Sequence, residues 1–237
     1  QQAVNLETKG DEFFQSKEFS NAISKYTEAK IIYKKLNTTN KLKKIKNKIN
    51  NAVLTKSRRE AEKYINKGNV ELEEKNYDKA LLNFRQARSI YQENNLPDKV
   101  EEINQKIQTT SLNKYKTKAK RYEETGDMQL GEQNYDEALF NYKQALKIYN
   151  ENNIKEGIKE IKGKIMNTEN RKSYSKAKEY ENIADVQFEK ENYEEALSNY
   201  KRSKNIYSKI KKEKDIIRLE EKIRVTNERM DKFLGIF

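Results

Sequence analysis

The chain has 237 residues, a formal net charge of +12, 37% charged residues and only 34% hydrophobic ones. It contains no Cys, His or Trp, which excludes a disulfide framework, a thiolate nucleophile, a sulfur-ligated metal and the usual imidazole base. One proline and seven glycines are too few for a hairpin-rich β protein, and no apolar run approaches the roughly 20 residues of a membrane span.

The lack of Cys suits a reducing, cytoplasmic setting. No signal peptide or lipidation motif is read, and the sequence starts at Gln1. The triplet Asn37-Thr38-Thr39 has the form of a glycosylation acceptor, but chance supplies such triplets in a chain this rich in Asn. Lys far outnumbers Arg, and Asn and Ile are abundant, so part of the positive charge fits A/T-rich codon usage.

Taken along the chain, Gly10-Asp11, Gly68-Asn69, Gly126-Asp127 and Ala184-Asp185 recur at a constant step of 58 residues. Phe19, Tyr77, Tyr135 and Tyr193 keep that step, and so do Ala22, Ala80, Ala138 and Ala196. Tyr26, Phe84, Tyr142 and Tyr200 follow, then Tyr33, Tyr91, Tyr149 and Tyr207. The chain therefore reads as one repeat domain over residues 1–237, with repeats at 3–60, 61–118, 119–176 and 177–234.

Apolar residues within each repeat fall three and four apart, which is helical spacing. In the second repeat a first helix is expected from Ala61 to Glu74, and Lys75-Asn76 forms a short turn where substitution at Lys75 should be nearly neutral. A second helix then places Tyr77, Ala80, Leu81, Phe84, Ala87 and Tyr91 on one face. Asn94-Asn95-Leu96-Pro97-Asp98 reads as a stop and a new cap at Asp98. The third helix carries Val100, Ile103 and Ile107. That triplet recurs as Leu42, Ile45, Ile49; as Ile158, Ile161, Ile165; and as Ile216, Leu219, Ile223. No Pro or Gly lies between Asp98 and Gly126, so the third helix of one repeat is expected to run into the first helix of the next, with Thr109-Thr110-Ser111 as the one place suited to a kink. Phe233-Leu234-Gly235-Ile236-Phe237 forms an apolar tail that either covers the last repeat or leads into a further one.

Tyr64, Gly68, Tyr77, Ala80, Phe84 and Ala87 resemble the tetratricopeptide repeat (TPR), and so do Tyr122, Gly126, Tyr135, Ala138, Tyr142 and Ala145. The first and fourth repeats depart from it, with Leu6 for the first aromatic, Ala184 for the glycine and Ser203 for the last alanine. The resemblance covers about 34 residues of each repeat; the third helix is extra, and the three-helix unit with its Asn-Tyr-x-x-Ala-Leu turn, as at Asn76-Tyr77 and Ala80-Leu81, also resembles the microtubule-interacting and trafficking domain. Both resemblances imply an all-α fold, here an α-solenoid of four TPR-like repeats, and both imply protein recognition without cofactors.

Paired acids such as Glu73-Glu74 are poor catalytic dyads, because neighbours on a helix point about 100° apart. No phosphate-binding or nucleophile-elbow motif is present, and the chain is expected not to be an enzyme. The sharper signal is charge: Ala29–Arg59 holds 11 basic residues and no acidic one. Lys41, Lys43, Lys44, Lys46 and Lys48 crowd the third helix of the first repeat. A solvated basic face, a docking surface for an acidic protein, a cytoskeletal or ciliary contact and a nucleic-acid belt all fit it. A membrane-surface helix fits less well, since Leu42, Ile45 and Ile49 are the packing triplet.

The TPR resemblance implies a second candidate face on the first helices. It presents Asp11 and Phe14, Asn69 and Leu72, Asp127 and Leu130, Asp185 and Phe188, together with Glu7, Ile65, Glu123 and Glu181. A carboxylate clamp would need Lys and Asn here, and only Asn69 fits. The face is expected to be acidic with an apolar floor, apart from the basic third helices.

Overall fold

Helices alternate in length along the chain. The computed structural model describes residues 1–235, so Ile236 and Phe237 of the apolar tail lie outside it. Among the described residues there are nine helices and no strand. They are α1 (Gln2–Gln15), α2 (Phe19–Lys35), α3 (Thr39–Glu73), α4 (Tyr77–Glu93), α5 (Pro97–Gly131), α6 (Tyr135–Glu151), α7 (Lys155–Glu189), α8 (Tyr193–Lys209) and α9 (Glu213–Phe233). This is an all-α tandem array of TPR-like repeats, the class of the α-solenoids.

The third helix of one repeat and the first helix of the next are one continuous helix in α3, α5 and α7, each of 35 residues. Thr109-Thr110-Ser111 lies within α5 without interrupting it. The cap expected at Asp98 falls earlier: α5 begins at Pro97, and the carbonyl of Leu96 receives the amide of Val100 at 3.1 Å. Proline suits the first helical position, where its fixed φ is already helical and its missing N–H leaves no donor unpaired.

Packing divides the chain into two compact bodies, Gln1–Lys114 and Tyr115–Phe237. The first body holds two cores. One joins α1, α2 and the start of α3 around Ala22, Tyr26, Ala29, Tyr33 and Ile45. The other joins the end of α3, α4 and the start of α5 around Ala61, Ala80, Phe84, Ala87, Tyr91 and Ile103. The second body repeats the scheme around Ala138, Tyr142, Tyr149 and Ile161, and again around Ala184, Ala196, Tyr200, Tyr207 and Leu219. Each repeat is therefore a three-helix core rather than a bare helix pair.

Small residues set the helix separation. A Cβ placed on Gly10, Gly68 or Gly126 would come within 2.5 to 2.6 Å of the ring of Tyr26, Phe84 or Tyr142. Glycine in a helix interior costs about 1 kcal/mol relative to alanine, and here it lets the ring rest on the backbone. In the fourth repeat Ala184 takes that place and is fully buried. The recurring tyrosines divide in two: Tyr26, Tyr33, Tyr91, Tyr142, Tyr149, Tyr200 and Tyr207 are buried, whereas Tyr64 and Tyr77 are only half-buried.

All eight turns between helices share one geometry. Lys17, Asn37, Lys75, Asn95, Gln133, Asn153, Glu191 and Lys211 have φ between 50 and 64°. After each, an amide reaches back five residues, as from Asn76 to the Glu71 carbonyl at 2.8 Å. This is the Schellman ending, in which glycine is the usual left-handed residue; here none of the eight is glycine. Lys75 is thus not an indifferent turn position. Lys75→Gly should stabilise the chain by about 1 kcal/mol and Lys75→Val should weaken it, because a β-branched residue resists positive φ. Ala138, with no exposed surface, should respond in the opposite manner to a surface site: Ala138→Tyr should cost about 1–3 kcal/mol by overpacking. Urea titration of the three variants checks both expectations.

Candidate partner-binding site

Charge on this protein falls into an internally paired set and an unpaired set. The paired set is built on the buried rings. In the first repeat the Tyr26 hydroxyl donates to Asp11 Oδ1 at 2.7 Å, and the Tyr33 hydroxyl donates to Glu7 Oε2 at 2.8 Å. Lys48 Nζ lies over the Tyr26 ring, 5.7 Å from its centroid, and meets Asp11 at 2.7 Å and Glu7 at 2.8 Å. One ammonium thereby ties α3 to α1 across α2.

The same cluster recurs in the second body. Lys164 meets Asp127 at 2.6 Å and Glu123 at 3.5 Å, while Tyr142 donates to Asp127 and Tyr149 to Glu123. Lys222 meets Asp185 at 2.7 Å and Glu181 at 2.9 Å, and Tyr200 donates to Asp185 at 2.5 Å. The second repeat loses the polar members together: Ile65, Asn69 and Phe84 replace the Glu, Asp and Tyr, leaving Lys106 over the Phe84 ring at 5.9 Å.

The expected acidic face and the basic third helix therefore meet, and Asp11, Asp127 and Asp185 are occupied by lysines of their own chain. Lys48, expected on a docking surface, is half-buried in this contact. Lys41 lies over the Tyr33 ring at 5.5 Å. Phe14, Leu72, Leu130 and Phe188 are half-buried against the four cores, and Asn69 is half-buried beside them. Lys43, Lys44 and Lys46 are exposed on α3 and make no ion pair with any described residue. The signal that exposes the paired set in sequence is the Glu, Asp, Tyr, Tyr, Lys recurrence together with the joint replacement of the Glu, Asp and first Tyr in the second repeat.

The fourth repeat shows what competition does to the cluster. Arg218 binds Glu181 through Nε at 3.0 Å and Nη2 at 2.8 Å, and Lys222 takes a further contact. Glu181 no longer receives the neighbouring tyrosine: the Tyr207 hydroxyl is buried without a partner. Burial first, and then the charge of Glu181, push the Tyr207 phenol up to about 12. Burial, the largest single influence, would raise Glu7, Asp127 and Glu181, but the hydrogen bonds and charges around them together outweigh it, from Lys48 and Tyr33, from Lys164 and Tyr142, and from Arg218 and Lys222, and hold all three below their ordinary values.

Among the described residues no cluster of three or more metal-ligating side chains occurs, and no helix is long and apolar enough to cross a membrane. No protein-family model and no curated protein matches the chain. Solved structures similar to it include the TPR2AB domain of yeast Sti1 in complex with pHSP90, at 13% identity over 95% of this chain and 98% of that one, with a TM-score of 0.22. A circular tandem repeat protein is 10% identical over 98% of this chain and 52% of its own, with a TM-score of 0.17. A Rap protein complexed with competence and sporulation factor is 12% identical over 97% and 65%, with a TM-score of 0.20. The TPR-like description rests on the helix pairs themselves.

Two measurements test the cluster. Tyr149→Phe removes a made hydrogen bond and should destabilise by about 1 kcal/mol, whereas Tyr207→Phe removes an orphaned hydroxyl and should be neutral or stabilising. The depressed carboxylates contribute stability above their unfolded values and lose it as pH falls through the folded ones. The urea midpoint should therefore drop as pH falls below the ordinary glutamate value of 4.5, and Asp127→Asn should make that drop shallower.

Proposed function

We propose that this chain is a non-enzymatic protein-interaction scaffold whose repeats present a basic surface to an acidic protein. The observation that carries the reading is the trio Lys43, Lys44 and Lys46, exposed and unpaired while Leu42 and Ile45 hold the helix to its core. Their counterparts elsewhere are not uniformly basic: Glu101, Glu102 and Asn104 in the second repeat, Lys159, Glu160 and Lys162 in the third, Ile217, Arg218 and Glu220 in the fourth. A shared architecture does not require the lysines; a ligand would. The set of buried rings and occupied carboxylates serves the fold, and the functional groups are those left over.

Exposed pairs are weak singly and screened by salt. A fluorescein-labelled 20-residue peptide alternating Glu and Ser should bind in low salt and release as ionic strength rises. The Lys43→Glu/Lys44→Glu/Lys46→Glu variant should bind it about tenfold more weakly with helicity unchanged. Equal affinity in both proteins overturns the proposal. Tighter binding of single-stranded RNA of matching charge replaces it with the nucleic-acid reading.

A further inference from the structure

A cleft of about 660 Å³ opens in the first body between the α1–α2 turn and the middle of α3. Lys17 borders it from the turn, and Lys56, Arg59, Lys63 and Lys67 border it from α3. Those four are three, four and four residues apart, so they form one stripe along a helix face. Glu18 and Glu60 are the acids present, and Glu18 already accepts a hydrogen bond from Asn21 Nδ2 at 2.6 Å. None of the five cations forms an ion pair with a described residue; Arg59 donates only to the Lys17 carbonyl at 3.4 Å.

The other repeats provide an internal comparison. Lys56 corresponds to Lys114 and Lys172, and Ser20 corresponds to Asp78 and Asp136. In the second and third repeats the lysine is bound by that aspartate. In the first repeat the aspartate is Ser20, so the same lysine faces open space. At the matching place in the fourth repeat the cleft is lined by Glu191, Glu194 and Glu195 with Met230 and Phe233. The same place thus carries a lysine–aspartate pair in the second and third repeats, an acidic cleft in the fourth, and in the first a basic cleft that lacks the aspartate.

We infer that this cleft binds an acidic polypeptide segment, whose carboxylates take the place that Asp78 and Asp136 hold in the neighbouring repeats. Arg59 offers a planar fork suited to a carboxylate. Phe19 is buried and Tyr64 is half-buried with Lys67 Nζ 5.9 Å above its ring. The cleft therefore lacks the open aromatic platform on which single-stranded nucleic acid stacks. The inference rests on the scaffold reading but on different residues from Lys43, Lys44 and Lys46, so the two can fail separately.

The absence of cysteine permits a local probe. Ser24→Cys, exposed one turn along α2 from Ser20 and outside the cleft lining, carries an environment-sensitive fluorophore and reports occupancy when the Glu/Ser peptide is added. In that background Ser20→Asp restores the counter-ion found in the next two repeats and should weaken binding about fivefold. Arg59→Ala should weaken it similarly, and the triple glutamate variant of α3 should leave the cleft signal in place. A silent fluorophore, or affinity unmoved by both Ser20→Asp and Arg59→Ala, overturns the inference. A larger response to RNA of equal charge, or to unlabelled copies of the chain alone, overturns it in favour of nucleic acid or self-association.

Discussion

An aromatic ring resting on a glycine backbone is the contact on which the rest of this structure depends. It brings α1 against α2, α3 against α4 and α5 against α6 closer than a larger residue would allow, and Ala184 takes the glycine's place between α7 and α8. With the ring packed at that crossing, its hydroxyl reaches Asp11, Asp127 or Asp185, and a lysine from the third helix lies over the ring. The polar cluster is thus a consequence of the apolar crossing. Where the ring loses its hydroxyl, at Phe84, the carboxylates go with it, and the crossing at Gly68 stays. A glycine that would otherwise weaken a helix by about 1 kcal/mol is kept in three of four repeats for this reason.

That order of dependence explains what the chain reveals on reading and what it hides. Helical period, repeat length, the Ala and Tyr core positions and the joining of third to first helices are local or periodic properties, and residues such as Ala80, Phe84 and Ile103 announce them. The pairing of Lys48 with Asp11 spans 37 residues and three helices. It follows from the angles at which those helices cross, which hydrophobic spacing does not specify. Lys48 and Lys46 look alike in sequence, and two positions on a helix separate an internal tie from a free surface charge. The turns hide their geometry differently: left-handed residues are usually betrayed by glycine, and Lys75 or Gln133 gives no such sign. Asp98 misled for a related reason, since an acid beside a proline can cap a helix or sit in its first turn.

Net charge is a coarse guide to such a protein. The lysines that tie helices together add to the total without adding to the surface field, because each faces one or two carboxylates at contact distance. What a partner meets is the remainder, and in the first repeat that remainder is large on α3 for two separate reasons. Lys43, Lys44 and Lys46 have no acids opposite them in the fold, and Lys56 lacks the aspartate that its counterparts have. Attraction of this kind acts over about 8–10 Å at physiological ionic strength, so it would draw a flexible acidic segment before any close contact forms.

The unbroken long helices carry a last consequence, one of inheritance rather than energy. In repeats joined by loops, an added residue is absorbed locally. In α3 or α7 an insertion would turn everything downstream by about 100° and advance it by about 1.5 Å. Gly68 or Ala184 would then swing away from the ring it must receive. Such a helix behaves as a keyed shaft, and the uniform 58-residue spacing is what survives when every change of length within the shaft is discarded. Changes of sequence remain free wherever a side chain faces outward, which leaves charge as the property in which duplicated repeats can diverge.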